Sequence, residues 1–255
     1  MMPRLERHGD CALLVLDRPE ALNALSFAIL REIGALLDEV AASDARALLV
    51  TGTGPRAFCA GADIKELQGR SLMEQKRGGE LGQAVFAKLD RLPQASVALI
   101  NGFAFGGGLE LAMACTFRLA SPGATMGLPE IKLGLIPGYG GTQRLPRLVG
   151  PARALEMVMT GRRVGAAEAE RIGLVNRVAD GDLLQAGLAF AAEFAGHGLI
   201  AQHLAREAVA RALDTPLHEG LRIEADLATL SFQTADATEG MAAFAEKRAA
   251  RFTDS

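Results

Sequence analysis

Four short apolar runs, each separated from the next by a segment of helical character, limit what this chain can fold into. The runs are "CALLVLD" (11–17), "RALLVTG" (46–52), "ASVALI" (95–100) and "FRLAS" (117–121). Each has the length and composition of a buried strand. A helix is predicted from Ser26, as its N-cap, to about Ala42. Strands that alternate with helices predict an α/β architecture.

The character of the sequence changes after about Pro151, where alanine-rich helical patterns replace the apolar runs. Beyond Gly196–Gly198 the pattern predicts two or three more helices and no strand. We therefore expect an α/β core over residues 1–195 that holds the active site, followed by a helical region over residues 196–255. A degenerate strand–strand–helix repeat within the core stays open, because a single sequence would hide it.

Composition excludes several classes of function. The net charge is −3 and the basic residues are scattered, so no nucleic acid partner is expected. No apolar run approaches the ~18 residues of a membrane span, and no signal peptide is visible, so a cytoplasmic protein without membrane contact is expected. The three cysteines, Cys11, Cys59 and Cys115, are odd in number, lack metal-ligand spacing and are predicted to be small buried residues.

Familiar nucleotide and hydrolase motifs are weak or missing. "GTGPRA" (52–57) follows a strand and fits a variant of the dinucleotide fingerprint, but the next residues do not open a helix. The sequence contains no Walker A motif, no Gly-x-Ser-x-Gly and no His-Glu-x-x-His. The histidines lie outside the glycine-rich core, so neither a histidine base nor a metal site is expected: His8, His197, His203 and His218.

Glycine-rich segments paired with glutamates are the strongest candidates for chemistry. "FGGGLELAMAC" (105–115) places three glycines before a helix that carries Glu110, and "GLPEIKLGLIPGYGGTQR" (127–144) carries Glu130. Carboxylates in apolar surroundings gain raised pKa values, which suit acid–base chemistry near neutral pH. The alternative is that Glu110 is an exposed helix residue, Glu130 a surface acid, and the glycines tight turns.

Backbone N–H groups in two of these segments could stabilise negative charge. "FCAGADIKE" (58–66) has small residues after a strand, and "FGGGLE" (105–110) has them at a helix N-terminus, where N–H groups lack partners. Two converging N–H groups form an oxyanion hole, and the loss of one donor typically costs ~10²–10³ in rate.

Five segments together resemble the successive signatures of the enoyl-CoA hydratases in the crotonase superfamily. They are "AFCAGADIKE", "NGFAFGGGLELAMACTFRLAS", "GLPEIKLGLIPGYGGTQRLPRLVG", "TGRRVGAAEAERIGLVNRV" and "EGMAAFAEKR", in order over nearly the whole chain. The resemblance implies a spiral of strand–strand–helix (ββα) units with a C-terminal helical trimerisation region. It also implies self-association as a homotrimer or as a homohexamer built from two trimers.

The resemblance assigns catalytic roles to four residues. It implies that the backbone N–H groups of Cys59 and Gly107 form the oxyanion hole. It further implies syn addition of water to a trans-2-enoyl-CoA, as in fatty-acid β-oxidation, with Glu110 activating the water and Glu130 protonating C2. No metal or redox cofactor is implied, because the thioester itself accepts the electrons and coenzyme A is part of the substrate.

The resemblance also implies contacts to coenzyme A. The backbone near Ala60, Ala62, Asp63 and Ile64 would meet the adenine, and Lys65 would contact a phosphate. Phe244 and Lys247 match the residues that complete this site, often across a subunit boundary. The alternatives are a helix core residue for Phe244 and a solvated surface charge for Lys247.

Tyr139, the only tyrosine, stands where many hydratases carry a small residue. A phenol at the acyl site predicts short or polar acyl groups; the alternative is that the side chain points into packing. Residues 67–82 are polar and rich in glycine, which predicts a mobile wall of the acyl pocket.

Three readings of the function stay open. The first is trans-2-enoyl-CoA hydration. The second is another crotonase-type reaction, either Δ3–Δ2 isomerisation or hydration of a branched or dicarboxylic enoyl-CoA. The third is a non-catalytic relative that binds coenzyme A, against which the retention of both Glu110 and Glu130 argues.

Overall fold

Two sheets and eleven helices make up the computed structural model, which describes residues 2–255. The strands are β1 (Arg4–His8), β2 (Cys11–Leu16), β3 (Ala47–Gly52), β4 (Ala57–Cys59), β5 (Ala95–Ile100), β6 (Phe103–Phe105), β7 (Phe117–Ala120), β8 (Thr125–Gly127), β9 (Arg163–Gly165) and β10 (Arg177–Val178). The helices are α1 (Phe27–Ala41), α2 (Ile64–Leu67), α3 (Leu72–Arg91), α4 (Gly107–Ala114), α5 (Gly141–Val149), α6 (Pro151–Thr160), α7 (Ala166–Arg171), α8 (Leu183–Ala195), α9 (Leu199–Arg211), α10 (Leu217–Ser231) and α11 (Ala235–Glu246).

The larger sheet has the strand order β1-β2-β3-β5-β7-β10 and is parallel except for the antiparallel β1–β2 pair. The smaller sheet has the order β4-β6-β8-β9. Along the chain, β3, β5 and β7 of the larger sheet are each followed directly by β4, β6 and β8 of the smaller one. Helices then return the chain to the larger sheet, so the strand–strand–helix unit repeats.

Packing on both faces of the larger sheet forms two apolar clusters. Strands β2 and β5 are buried along their full length, as expected for a parallel sheet covered on both sides. Consecutive residues of β2, such as Leu13 and Leu14, point into opposite clusters. The larger cluster includes α1, α3 and α4, and the smaller one includes Phe190 of α8.

The structure confirms the four predicted strands as β2, β3, β5 and β7, within one residue of their predicted ends. The predicted first helix is α1, and the Ser26 side chain accepts a hydrogen bond from the Ile29 N–H as its N-cap. Cys11, Cys59 and Cys115 are free and buried, as predicted. Six other strands were not predicted. Five of them, β4, β6, β8, β9 and β10, have only two or three residues, and β1 is partly exposed and rich in charged residues.

Residues 67–82 were predicted to form a mobile wall of the acyl pocket. Gln75, Gly78 and Gly79 line the cavity described below, and residues 72–82 lie in α3. Its first turn is closed by a capping box in which the Ser71 side chain accepts from the Glu74 N–H and the Glu74 carboxylate accepts from the Ser71 N–H. The glycines that suggested a loop instead allow close packing of this helix against neighbouring rings.

Three helices, α9 to α11, follow α8, which ends at Ala195. Residues 196–255 contain no strand, in agreement with the sequence prediction. Among residues 2–255, no single helix is long and apolar enough to cross a membrane; α8 and α9 reach that length and composition only as a pair bent by 97°.

Candidate active site

One cavity of about 340 Å³ contains both predicted glutamates. It lies where the loop after β4, the N-terminus of α4, one side of α3 and residues 129–139 meet. Most side chains that line it are apolar and a few are polar, which is usual for a site that binds a small molecule. The residues that line it are Phe27, Ala60, Gly61, Ala62, Ile64, Leu67, Gln75, Gly78, Gly79, Gly106, Gly107, Glu110, Pro129, Glu130, Leu133, Leu135, Ile136, Gly138 and Tyr139.

Glu110 is only 2% exposed, on the first turn of α4. Its Oε1 atom accepts hydrogen bonds from the backbone N–H groups of Tyr139 (2.8 Å) and Gly141 (2.7 Å). Burial raises the pKa of Glu110 to about 7, against the opposing effect of the Gly141 N–H. A carboxyl group with this pKa exchanges protons near neutral pH, and the two N–H groups fix its orientation.

Glu130 lies on a 3-10 helix, Pro129–Leu133, on the other side of the cavity. Burial raises its pKa as well. Within residues 2–255, its buried Oε2 atom has no hydrogen-bond partner, and such an orphaned acceptor is costly unless a ligand or water completes it. A Cβ at Gly106 would lie 2.9 Å from Glu130 Oε1, so a larger residue at this position would push the carboxylate away from α4.

Each residue of the triple glycine lies close to a different neighbouring group. Gly106 has φ of +50°, which glycine adopts without strain, and it precedes the helix that begins at Gly107. A Cβ at Gly108 would overlap the carbonyl oxygen of Cys59. Gly107 lines the cavity, and its N–H is one of the first of α4, where no helical carbonyl accepts it. The prediction that this stretch serves close backbone approach therefore agrees with its packing.

Cys59 does not occupy the position that the sequence analysis gave it. It is fully buried on β4, its backbone packs against Gly108, and it is absent from the cavity lining. Ala62, three residues on, lines the cavity. Leu25 N–H donates to the Gly61 carbonyl and Asp63 N–H donates to the Leu25 carbonyl, each at 2.8 Å.

These two hydrogen bonds form a parallel bridge between Leu25 and Ala62, which fixes the direction of the Ala62 N–H. In such a bridge, the residue between the two bonded groups directs its own N–H away from the partner strand. The Ala62 N–H is therefore left on the side opposite Leu25. Sequence reasoning missed this donor because the direction of each N–H depends on which residue pairs with Leu25. That pairing joins two segments that are far apart in the sequence.

Tyr139 lines the cavity and is also packed, so both alternatives raised for it hold in part. It is 7% exposed, and its ring meets Phe86 edge-on at a centroid distance of 5.7 Å. A Cβ at Gly82 would overlap the ring, and one at Gly107 would lie 3.1 Å from it. Burial raises the pKa of Tyr139 to about 12, so the phenol stays protonated at neutral pH.

The residues predicted to bind coenzyme A divide into two groups. Ala60, Ala62 and Ile64 line the cavity, whereas Asp63 caps α2 and accepts from Arg18 at 2.7 Å. Lys65 is exposed on α2. Phe244 is 88% exposed on α11 and Lys247 ends that helix, and neither lines the cavity of its own chain.

The arrangement places two titratable carboxylates and two glycine-containing backbone turns around one apolar space. Such a site can bind an acyl group, stabilise an oxyanion with N–H groups, and add or remove protons from two directions. No three histidine, cysteine, aspartate or glutamate side chains among residues 2–255 lie close enough together to hold a metal ion.

Comparison with known proteins identifies the family. A model of the enoyl-CoA hydratase/isomerase family matches residues 6–255. The crotonyl-CoA hydratase of Syntrophomonas wolfei is 44% identical over 97% of this chain and 96% of its own length. The short-chain-enoyl-CoA hydratase of Clostridium acetobutylicum is 39% identical over 96% of this chain and 94% of its own length.

Solved structures agree with the sequence relatives. The crystal structure of an enoyl-CoA hydratase from Bacillus anthracis has a TM-score of 0.94 and 38% identity, with 99% of each chain covered. The chain belongs to the enoyl-CoA hydratase/isomerase family. The expected crotonase-like α/β fold with a C-terminal helical region is thereby confirmed.

Proposed function

We propose that the protein is a hydratase that adds water to a trans-2-enoyl-CoA and forms a 3-hydroxyacyl-CoA. The observation that carries the proposal is that Glu110 and Glu130 face one apolar cavity, each with a raised pKa. The names of the relatives from Syntrophomonas wolfei and Clostridium acetobutylicum support the same activity.

Glu110 is proposed to hold and deprotonate the attacking water. Because its Oε1 atom accepts two backbone N–H groups, Oε2 is the atom left for the water proton. The water oxygen bonds to C3, and the electron pair of the C2–C3 double bond moves toward the thioester. Glu130, whose Oε2 has no partner within residues 2–255, delivers a proton to C2. Both new bonds form on one face, which gives syn addition.

The thioester oxygen gains negative charge during this step. We assign its stabilisation to the backbone N–H groups of Ala62 and Gly107, which replaces Cys59 by the donor that lines the cavity. Because the thioester accepts the electron pair, the proposed reaction needs neither a metal nor a redox cofactor.

A short acyl group fits this cavity best. The Tyr139 N–H binds Glu110, and Tyr139 lines the same cavity as this carboxylate, which is proposed to act at C3. The ring fills the space between Gly82 of α3 and Gly107 of α4, where a longer chain would otherwise extend. We therefore propose crotonyl-CoA and similarly short enoyl thioesters as preferred substrates.

Coenzyme A is proposed to lie along residues 60–65, with its adenine near the backbone of Ala60, Ala62, Asp63 and Ile64, and Lys65 near a phosphate. Phe244 and Lys247 are proposed to complete this site from a neighbouring subunit, because both lie away from the cavity of their own chain. A homotrimer or a homohexamer of two trimers would place them there.

Purified protein incubated with crotonyl-CoA tests the proposed activity, followed as loss of the conjugated enoyl thioester absorbance. Turnover of crotonyl-CoA supports hydration. Conversion of a 3-enoyl-CoA without hydration would support the isomerase alternative, and binding of coenzyme A without turnover of any enoyl-CoA would support a non-catalytic role.

A further inference from the structure

The turn at residues 138–141 supplies both hydrogen bonds that orient Glu110. It includes Gly138, Gly140 and Gly141, and Gly140 has φ of +112°. Glycines give a turn many accessible conformations in the absence of other contacts. Two N–H groups separated by one residue nevertheless point at the same Oε1 atom. Something outside the turn must hold this geometry.

Two side chains contact the turn from outside: Gln83 of α3, whose Nε2 donates to the Gly138 carbonyl oxygen at 2.9 Å, and Arg144, on the first turn of α5. Its Nη1 donates to the Tyr139 carbonyl oxygen at 3.3 Å, and its Nη2 donates to Oδ2 of Asp90 on α3 at 2.8 Å. A Cβ at Gly140 would overlap Arg144 Nη1, so the guanidinium lies directly against the turn. Arg144 thus connects α3 to the Tyr139–Gly140 peptide, which lies between the two peptides whose N–H groups bind Glu110.

The partial burial of Arg144 distinguishes it from its neighbour on α5. The Arg144 side chain is 21% exposed, whereas that of Arg147, which pairs with Asp214, is 44% exposed. Both arginines make one ion pair and one hydrogen bond to a backbone carbonyl. Arg147 donates to Gln143 within its own helix, so it offers a matched control that leaves the turn untouched.

We propose that Arg144, anchored by Asp90, is a positioning residue that fixes the 138–141 turn and thereby the orientation of Glu110. The proposal rests on the proposed function for the role of Glu110 in catalysis. Without the anchor, the Tyr139 and Gly141 N–H groups no longer converge on Oε1. The Glu110 carboxylate can then rotate, and its Oε2 atom no longer points at the attacking water.

The charge of Arg144 has a second effect, since it favours the ionised form of Glu110. Glu130 also acts on Glu110 and raises its pKa. Asp90 pairs with Arg144 itself, and Arg118 of β7 donates to the carbonyls of Leu174 and Cys115. Loss of Arg144 therefore raises the pKa of Glu110 in two ways, by removing its charge and by loosening the two N–H bonds, whereas loss of Asp90 acts only through those bonds.

The two effects separate in a set of four variants assayed with crotonyl-CoA across pH. Arg144→Met should lower kcat by roughly ten- to hundredfold with little change in KM, and should move the acidic limb of the profile to higher pH. Arg144→Lys keeps the charge but loosens the turn, so kcat should fall and the limb should move up less than in Arg144→Met. Asp90→Asn should lower kcat, also with a smaller upward shift of the limb than in Arg144→Met.

Arg147→Met is the control and should keep kcat within about twofold of the wild type. A second readout needs no turnover: the carboxyl signal of Glu110, identified by its loss in Glu110→Gln, should titrate at higher pH in Arg144→Met. Absence of turnover in the wild type would overturn the proposed function, while this titration still tests the proposal for Arg144.

Three results would overturn the proposal for Arg144. They are unchanged kcat in Arg144→Lys and Asp90→Asn, equal losses in Arg144→Met and Arg147→Met, or an unshifted Glu110 titration in Arg144→Met. Circular dichroism and thermal unfolding of each variant separate these results from misfolding. If Arg144→Met does not fold, the comparison between Asp90→Asn and Arg147→Met decides the question.

Discussion

The backbone N–H of Gly141 donates to Oε1 of Glu110 at 2.7 Å, although the two residues are 31 positions apart. This bond, with the one from Tyr139, gives a nearly buried carboxylate two donors while leaving its second oxygen to the cavity. Burial and hydrogen bonding act on its pKa in opposite directions, and burial has the larger effect. The same bond therefore orients the acid and keeps part of it ionised at neutral pH.

The pKa of Glu110 predicts how the stability of the protein varies with pH. Its pKa is about 7 in the folded protein against an ordinary value of 4.5. A raised folded-state pKa gives stability that is present below the unfolded value and lost as the pH rises through the folded one. The loss amounts to about 3 kcal/mol by the linkage relation.

Glu110→Gln cannot ionise, so it should escape this loss. Its free energy of unfolding relative to the wild type should be higher at about pH 8 than at about pH 5, as measured by urea unfolding. Glu80→Gln, an exposed position on α3, is the control and should show no such difference. If the free energy of unfolding of Glu110→Gln differed from that of the wild type by the same amount at both pH values, the raised pKa would be contradicted.

Each catalytic glutamate should be required for turnover and dispensable for folding. Glu110→Gln and Glu130→Gln should each lower kcat by roughly 10²–10⁴-fold with crotonyl-CoA, because each removes a proton transfer in the transition state. Thermal unfolding should show that both variants remain folded. A variant that keeps a rate near that of the wild type would remove that glutamate from the mechanism.

Tyr139→Ala should shift the preference toward longer acyl chains. Removal of the ring opens the space between Gly82 and Gly107, so kcat/KM for octenoyl-CoA should rise relative to that for crotonyl-CoA. The measurement is a panel of enoyl-CoA thioesters of increasing length.

Two glycines of α3 provide a matched pair for the same question. Gly82→Ala adds a methyl group that overlaps the Tyr139 ring, so it should disturb turnover of even the shortest substrate. Gly79→Ala also lies at the cavity, but its Cβ would meet only the Gly138 carbonyl oxygen, at 3.8 Å, and should be tolerated. An unchanged length profile in Tyr139→Ala would exclude the ring as the limit.

Gly108→Ala should destabilise the protein by about 2 kcal/mol, because the new Cβ would overlap the Cys59 backbone, which cannot move aside as a flexible side chain would. Gly123→Ala, where no atom lies within 4 Å of the added Cβ, should change stability by less than about 1 kcal/mol. Chemical denaturation measures both. Equal stabilities of the two variants would contradict the packing described for the triple glycine.

The four central strands of the larger sheet, β2, β3, β5 and β7, were predictable because they are continuous apolar runs, as in "ASVALI" (95–100). The smaller sheet was not, since β4, β6, β8 and β9 have three residues each. Glycines misled the prediction for residues 67–82: in α3 they admit the rings of Phe27 and Tyr139, a reason that depends on tertiary contacts.

The candidate site was predictable in its acids and only partly in its backbone donors. Glu110 and Glu130 stand out as isolated carboxylates in glycine-rich apolar segments, and the structure brings them to one cavity. The Ala62 N–H faces away from Leu25 because of a bridge between distant segments, and Arg144 reaches Asp90 across 54 positions. Neither relationship leaves a local pattern in the sequence.

Conversion of crotonyl-CoA in deuterated water tests whether Glu110 and Glu130 act together on one substrate. We predict a 3-hydroxybutyryl-CoA product with one solvent deuterium at C2, added to the same face as the C3 oxygen, because the two glutamates act on the two carbons from one cavity. Product without stereospecific deuterium at C2, or no conversion of crotonyl-CoA by folded protein, would contradict it.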